Sequence, residues 1–215
     1  MRVLCQHLFL SASLRHDGND FFEDFTTWHI GASFKVPGTT LRLHSGVGTG
    51  VKYPCFGDLF GTFPGFVPNP NLIPEESFGY DFGVEATFLK GRALVDVTYF
   101  KTDLTNEITF ASIGPFTLTN LPGTSLREGV EVSGRYLVTP SLTIGGAYTY
   151  LFAEESTGFS EVRRPKHTAR ADLNYLFADG RGNLNIAAIY NGTMSDNGFL
   201  NVPPFSQRVL LDDYW

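Results

Sequence analysis

The sequence predicts an all-β chain: about ten antiparallel strands forming the wall of a transmembrane β-barrel. Three observations carry this. Apolar and polar side chains alternate along most of the chain, which gives each strand one apolar and one polar face. The alternating runs are about 9–12 residues long, enough for a tilted strand to cross a bilayer and about twice the mean strand of soluble sheets. The connections between them are alternately short and long. Short turns at one end of every hairpin and long loops at the other is the layout of an outer-membrane barrel.

Taken in order, the strands are expected near 8–16, 27–36, 40–51, 78–89, 92–103, 126–138, 142–152, 166–177, 183–192 and 206–215. Trp28, Ile30, Ala32, Phe34 and Val36 oppose Thr27, His29, Gly31, Ser33 and Lys35. Ala93, Val95, Val97 and Tyr99 oppose Asp96 and Thr98; Val130, Val132, Gly134 and Tyr136 oppose Glu131, Ser133 and Arg135. Leu142, Ile144, Gly146, Tyr148 and Tyr150 alternate with Thr143, Gly145, Ala147 and Thr149. Ala169, Ala171, Leu173, Tyr175 and Phe177 alternate with Thr168, Arg170, Asp172 and Asn174. The short turns are Pro37-Gly38-Thr39, Lys90-Gly91, Thr139-Pro140-Ser141 and Ala178–Gly182, rich in the residues that tight hairpins use. The long loops are 17–26, 52–77, 104–125, 153–165 and 193–205, and no segment has a helical period.

The 215 residues are 42% hydrophobic, 14% aromatic and only 18% charged, which excludes a disordered chain. A net charge of −6 excludes a basic nucleic-acid footprint. Cys5 and Cys55 are too few for a disulfide scaffold or a four-cysteine zinc site. They also fall at opposite ends of the expected wall, so no disulfide is expected between them. No continuous apolar span of about 20 residues suits a transmembrane helix, and the N-terminus lacks the long apolar region of a signal peptide. Trp28, Phe34, Phe88, Tyr99, Tyr136, Tyr148, Tyr150, Tyr175, Phe177 and Tyr190 sit on apolar faces near strand ends, as in the aromatic girdles of membrane barrels. The alternative is a soluble β-sandwich that binds carbohydrate through Trp28, Tyr53, Phe60, Phe63 and Phe66.

Several motifs resemble one family in order along the chain. Asn69-Pro70-Asn71-Leu72-Ile73-Pro74-Glu75-Glu76-Ser77, followed by Tyr80, Gly83, Val84 and Glu85, resembles a signature of TonB-dependent outer-membrane receptors. Ser45–Pro54, Arg127-Glu128-Gly129-Val130-Glu131, Tyr148–Ala153 and Arg163–Ala169 resemble further motifs of that family, with cobalamin receptor-like members as the nearest branch. The resemblance implies a 22-stranded barrel holding a plug, of which residues 1–215 would be a partial barrel domain lacking the plug and the final strands. It further implies residence among the lipids of a Gram-negative outer membrane and capture of a scarce small molecule such as cobalamin or a siderophore-like iron chelate. Contact with the TonB complex would run only through the missing plug region. No cofactor and no enzymatic activity are expected.

The ligand-contact candidates are Phe56, Phe60, Phe63 and Phe66, aromatic residues in the long 52–77 loop, with Ile113–Leu121 as a second loop. The other reading of these rings is that they pack the loop on itself or on its neighbours. Glu131, Arg135, Arg170 and Asp172 are the principal lumen-lining candidates, alongside His29, Lys35, Arg42, His44, Asp81, Glu85 and Asp96. Asp17, Asp20, Glu23 and Asp24, and likewise Glu154, Glu155 and Glu161, read as solvated acidic loops without calcium-loop spacing. No nucleophile elbow and no His-Glu-x-x-His pattern is present, so no catalytic residue and no metal ligand is assigned.

Overall fold

The structure is a computed structural model and describes residues 7–61, 64–111, 116–197 and 208–211. Its strands are β1 (Leu8–Asp17), β2 (Phe25–Lys35), β3 (Leu41–Lys52), β4 (Glu75–Phe88), β5 (Ala93–Thr105), β6 (Ile108–Phe110), β7 (Leu118–Asn120), β8 (Thr124–Thr139), β9 (Leu142–Glu154), β10 (His167–Phe177), β11 (Gly182–Asn191), β12 (Met194–Asn197) and β13 (Arg208–Leu211). A five-residue helix, α1 (Phe56–Phe60), lies in the loop after β3. Nine strands form one antiparallel sheet in the order β1-β2-β3-β4-β5-β8-β9-β10-β11. The wall is therefore a continuous meander, with β1 and β11 at its two edges. Among the described residues no helix is long and apolar enough to cross a membrane.

Two sequence expectations are corrected. The tenth expected strand does not extend the wall: its described part, β13, pairs with β12 in a separate two-stranded sheet. The long 104–125 loop contains a short hairpin, β6 with β7, that was not among the expected strands. The sandwich alternative also fails. A sandwich needs a second sheet packed on the first, and the other sheets among the described residues are these two short hairpins.

Register follows the alternation. Phe34, Leu43, Val84, Val97, Val132, Tyr148, Ala169 and Tyr190 are successive cross-strand partners on one face. Lys35, Arg42, Glu85, Asp96, Ser133, Ala147 and Arg170 form a row on the other. The apolar face is the lipid side and the polar face the lumen side of a barrel wall. Apolar residues on the lipid side are correspondingly open, with Leu10 at 72% and Leu14 at 74% exposure. On β8 the apolar band runs from Val130 to the turn at Thr139. At about 3.4 Å per residue and a tilt of about 40°, those residues span about 23 Å, close to the height of the apolar belt of outer-membrane barrels.

The short turns all lie at one end. At Leu89, Lys90 and Gly91 the chain adopts φ of 52°, 58° and 90°, and at Ala178, Asp179 and Gly180 φ of 51°, 55° and 83°. Such consecutive left-handed residues match the twist of tight hairpins, and glycine closes each run without a Cβ penalty. Arg92 fixes the neighbouring turn: its guanidinium donates to the carbonyls of Leu137 and Val138, beside the register shift that ends β8.

Among the described residues the buried apolar side chains Leu59, Leu72, Leu104 and Leu121 fall at the opposite, long-loop end. Buried Glu75, Ser125 and Glu161 accompany them. The wall itself has almost no buried side chain.

Candidate ligand-binding mouth

The long loops are tied together by the residues that sit at their bases. Asn69 makes a tight turn, its Oδ1 accepting the Asn71 N–H at 3.0 Å. Its Nδ2 donates to the Leu118 carbonyl at 2.9 Å, which joins the loop after β3 to β7. Asn120 reciprocates: its Oδ1 accepts the Ile73 N–H at 3.0 Å, and its Nδ2 donates to the carbonyls of Ile73 at 2.9 Å and Asn106 at 2.8 Å. Leu72, between them, is 2% exposed. Glu75 completes the join by accepting the Ile108 N–H at 2.7 Å and pairing with Lys52 Nζ at 2.9 Å. The Asn69–Glu75 stretch thus acts as a staple between two loops.

A second join is ionic. The Arg127 guanidinium donates to both Glu161 oxygens, at 2.7 and 3.0 Å, and to Glu107 Oε1 at 3.0 Å. Arg164 reaches Glu161 at 3.3 Å. A forked guanidinium suits two carboxylates from different loops. Glu161, read from sequence as part of a solvated acidic loop, is 6% exposed and is corrected to a buried ion-pair partner. Burial lifts the Glu107 carboxyl above its ordinary value; the Glu161 charge adds to this, while Ser125 and Arg127 oppose it. Ser125, 1% exposed, accepts the Ser156 N–H at 3.1 Å and ties the 155–166 loop to β8.

On this base stand the aromatic candidates. Phe56 and Phe60 project from α1, 76% and 44% exposed, with ring centroids 5.3 Å apart. The helix starts with the Asp58 carboxylate accepting the Cys55 N–H at 3.0 Å, and it buries Leu59 while leaving both rings outside. Phe66 instead packs against Phe116 at 5.9 Å, and Phe116 stacks on Phe110 at 4.6 Å. The two loops proposed from sequence as ligand contacts therefore meet through rings. Phe63 lies outside the described residues, as do residues 113–115 of the second loop and Cys5; Cys55 is exposed. Tyr53 packs between Phe22 and Phe25, at 5.7 and 5.9 Å, at the base of the first long loop.

The lumen face carries the other candidates. Glu131 and Arg135 project from β8 and are exposed. Glu131 lies level with Thr98 and Thr149, and Arg135 with Leu94 and Gly145. Arg170 and Asp172 are neighbours on β10, 3.8 Å apart. The tighter lumen pairs lie nearer the other edge: Arg42 forks onto Glu85 at 2.9 and 2.7 Å, and His44 meets Asp96 at 2.8 Å. His44 reaches Asp96 across Gly83, where a Cβ would collide with its ring.

The residues that build the mouth, Asn69, Glu75, Glu107, Asn120, Ser125 and Arg127, were not singled out from sequence as functional. Only the Asn69–Glu75 and Arg127 motifs carried a signal, and there as family resemblance.

Comparison with known proteins gives the same architecture. Residues 6–214 match the family model described as TonB dependent receptor-like, beta-barrel. The chain is 29% identical over 210 residues to the vitamin B12 transporter BtuB of Photobacterium profundum, covering 93% of this chain and 32% of that protein. The ferric enterobactin receptor PfeA of Pseudomonas aeruginosa superposes with a TM-score of 0.75 at 19% identity, over 97% of this chain and 34% of the receptor. The siderophore receptor PirA of Acinetobacter baumannii gives a TM-score of 0.75 at 16% identity, over 97% of this chain and 36% of the receptor. The chain spans about a third of the length of these relatives.

Proposed function

Because the chain belongs to the TonB dependent receptor-like β-barrel family, we propose that it forms part of the wall and outer mouth of an outer-membrane receptor for a scarce small molecule. Its location is the outer membrane of a Gram-negative cell, with the apolar face on lipid. Cobalamin and iron chelates are the ligand classes to test first, since relatives carry those names. Uptake would be coupled to the TonB complex through a plug region, to which none of the residues described above is assigned.

The observation that supports capture at the mouth is the pairing of a rigid base with exposed rings. Phe56 and Phe60 stand open to solvent on a helix whose underside is buried. Exposed aromatic rings on a fixed support bind at small entropic cost. Glu131, Arg135, Arg170 and Asp172 would line the path below.

The test uses the full-length protein in detergent with cyanocobalamin and a ferric catecholate, measured by isothermal titration. Replacing Phe56 and Phe60 together by Ala is expected to weaken the bound ligand at least roughly tenfold, about 1.4 kcal/mol, while the barrel stays folded. Unchanged affinity for a ligand that binds the wild type would remove these rings from the site.

A further inference from the structure

Charge is distributed unevenly around the exposed rings of the mouth. Between Lys52 and Lys90 the chain holds no Lys, Arg or His, and none stands between Lys101 and Arg127. The charged residues of 53–74 and 106–123 are Asp58 and Glu107, both carboxylates. Loop 18–24 is alike: its charged residues are Asp20, Glu23 and Asp24. That loop leans on the ring-bearing one, because Phe22 and Phe25 hold Tyr53 between them. It presents a further open ring, Phe21, at 79% exposure.

The cations at the bases of these loops are already engaged. Lys52 pairs with Glu75 at 2.9 Å, Arg15 with Asp17 at 2.8 Å and Lys101 with Asp103 at 3.9 Å. Arg127 serves Glu107 and Glu161, and Arg164 serves Glu161. Arg163 and Lys166 belong to the loop between β9 and β10, and β9 stands three inter-strand spacings from β4, about 14 Å. The amides at the start of α1 would also draw an anion, but Asp58 occupies that place. Its carboxylate accepts the Cys55 N–H at 3.0 Å, and its carbonyl accepts the Asn69 N–H at 2.9 Å. Asp58 is thus held by side chain and backbone alike, between Phe56 and Phe60 in the chain. A ligand laid on those rings lies within about 10 Å of this carboxylate, the width of a helix with its side chains. A negative ligand would be repelled there, whereas a neutral one with broad apolar faces suits the rings.

We propose that this side of the mouth selects a metal chelate without net negative charge, and that Asp58 sets the selection. A corrinoid such as cyanocobalamin meets the condition. So does a ferric tris-hydroxamate, in which three singly charged hydroxamates balance Fe(III). A ferric tris-catecholate does not, because three doubly charged catecholates leave it triply negative. The inference rests on the reading that Phe56 and Phe60 contact ligand.

The experiment titrates the full-length protein in detergent with cyanocobalamin, a ferric tris-hydroxamate and a ferric tris-catecholate. It is run at about 10 mM salt, where charges act over about 30 Å, and at about 1 M, where they act over about 3 Å. At low salt at least one neutral chelate is expected to bind roughly tenfold or more tighter than the catecholate, and the gap is expected to narrow at high salt. Asp58→Asn keeps an acceptor for the Cys55 N–H and removes one charge. It is expected to tighten the catecholate about threefold at low salt, more than either neutral chelate. If Asp58→Asn unseats α1, Asp20→Asn with Glu23→Gln on the neighbouring loop decides in its place, with the same sign. Catecholate binding as tight as that of both neutral chelates at low salt, or no gain in the deciding variant, overturns the proposal. A catecholate that binds tightest and is weakened when Phe56 and Phe60 become Ala removes the selection and leaves the ring site standing. Affinities for all three probes that ignore those rings, or no binding at all, remove both.

Discussion

Replacing Leu72 by Ala should loosen the mouth and leave the wall intact. Leu72 is 2% exposed, the most buried large side chain among the described residues. It sits inside the staple formed by Asn69, Asn120 and Glu75, so the cavity cannot close easily: the backbone on both sides is pinned by hydrogen bonds. Truncating a buried leucine in a site that resists collapse costs about 3 kcal/mol, within the range of roughly 2–5. The wall strands do not share this cost, because their hydrogen-bond ladders and lipid contacts are elsewhere. The free energy of local opening at the mouth therefore falls by about 3 kcal/mol, which raises the open population roughly 150-fold.

The assay is limited proteolysis of the full-length protein in detergent, at protease levels where cleavage follows the open population. Cleavage within 53–74 and 106–123 is expected to accelerate together, since the staple joins both loops, while heat-modifiable gel migration reports an intact barrel. Acceleration in one loop only would show that Leu72 does not couple them. Loss of the barrel would show that the buried leucines belong to one core with the wall. Either result refutes the reasoning.

Two further perturbations follow from the same geometry. Glu107 has its folded value raised by burial, so its contribution is full below the ordinary glutamate value, about 4.3, and is lost as pH rises through the raised value. Hydrogen-exchange protection of the β6–β7 hairpin should therefore be greater near pH 5 than near pH 7.5, and Glu107→Gln should flatten that difference; a slope unchanged in the variant would assign it to another group. In the lumen, Gly83→Ala places a methyl against both the His44 ring and the Thr98 hydroxyl and displaces the ring from Asp96. A cost of about 1–3 kcal/mol in urea unfolding is expected for the orphaned partner, partly relieved when His44→Ala is added, since the Thr98 hydroxyl still meets the methyl; a cost equal in both backgrounds would exclude the His44 contact as a cause.

Strand placement was legible in the sequence because the physics that sets it is periodic. A wall with lipid on one side and water on the other forces a period of two over whole strands, and Leu142–Tyr150 or Thr168–Phe177 shows it without help. Register came with it, since the turns at Lys90-Gly91 and Ala178–Gly182 leave little freedom in pairing. The mouth was not legible in the same way. Strands of three residues such as β6 and β7 are too short to show a period, and α1 makes little more than one turn. Glu161 looks like a solvated acid among Glu154 and Glu155 because nothing local records that Arg127, 34 positions earlier, folds beneath it. Phe66 and Phe56 are equivalent as letters. One packs on Phe116, and the other stands 76% exposed.

The distribution of burial explains why the two regions differ. Residues such as Leu10, Leu14, Ile30 and Ile186 stay open in the wall, because hydrocarbon covers them and no partner side chain has to be encoded. A wall strand needs only apolar residues at alternate positions, and many residues serve. The loops rise into water, where the same economy fails: their ends must bury apolar surface and pair their polar groups themselves. That requirement falls on specific residues at specific points. Leu72 fills one position, Arg127 serves two carboxylates from different loops, and Asn120 satisfies three backbone groups at once. The sequence constraint is therefore diffuse in the wall and sharp at the mouth. It follows that the matches quoted from the wall rest on pattern, whereas Asn69–Glu75 is a set of individual contacts, of which those of Asn69, Ile73 and Glu75 reach the β6–β7 hairpin.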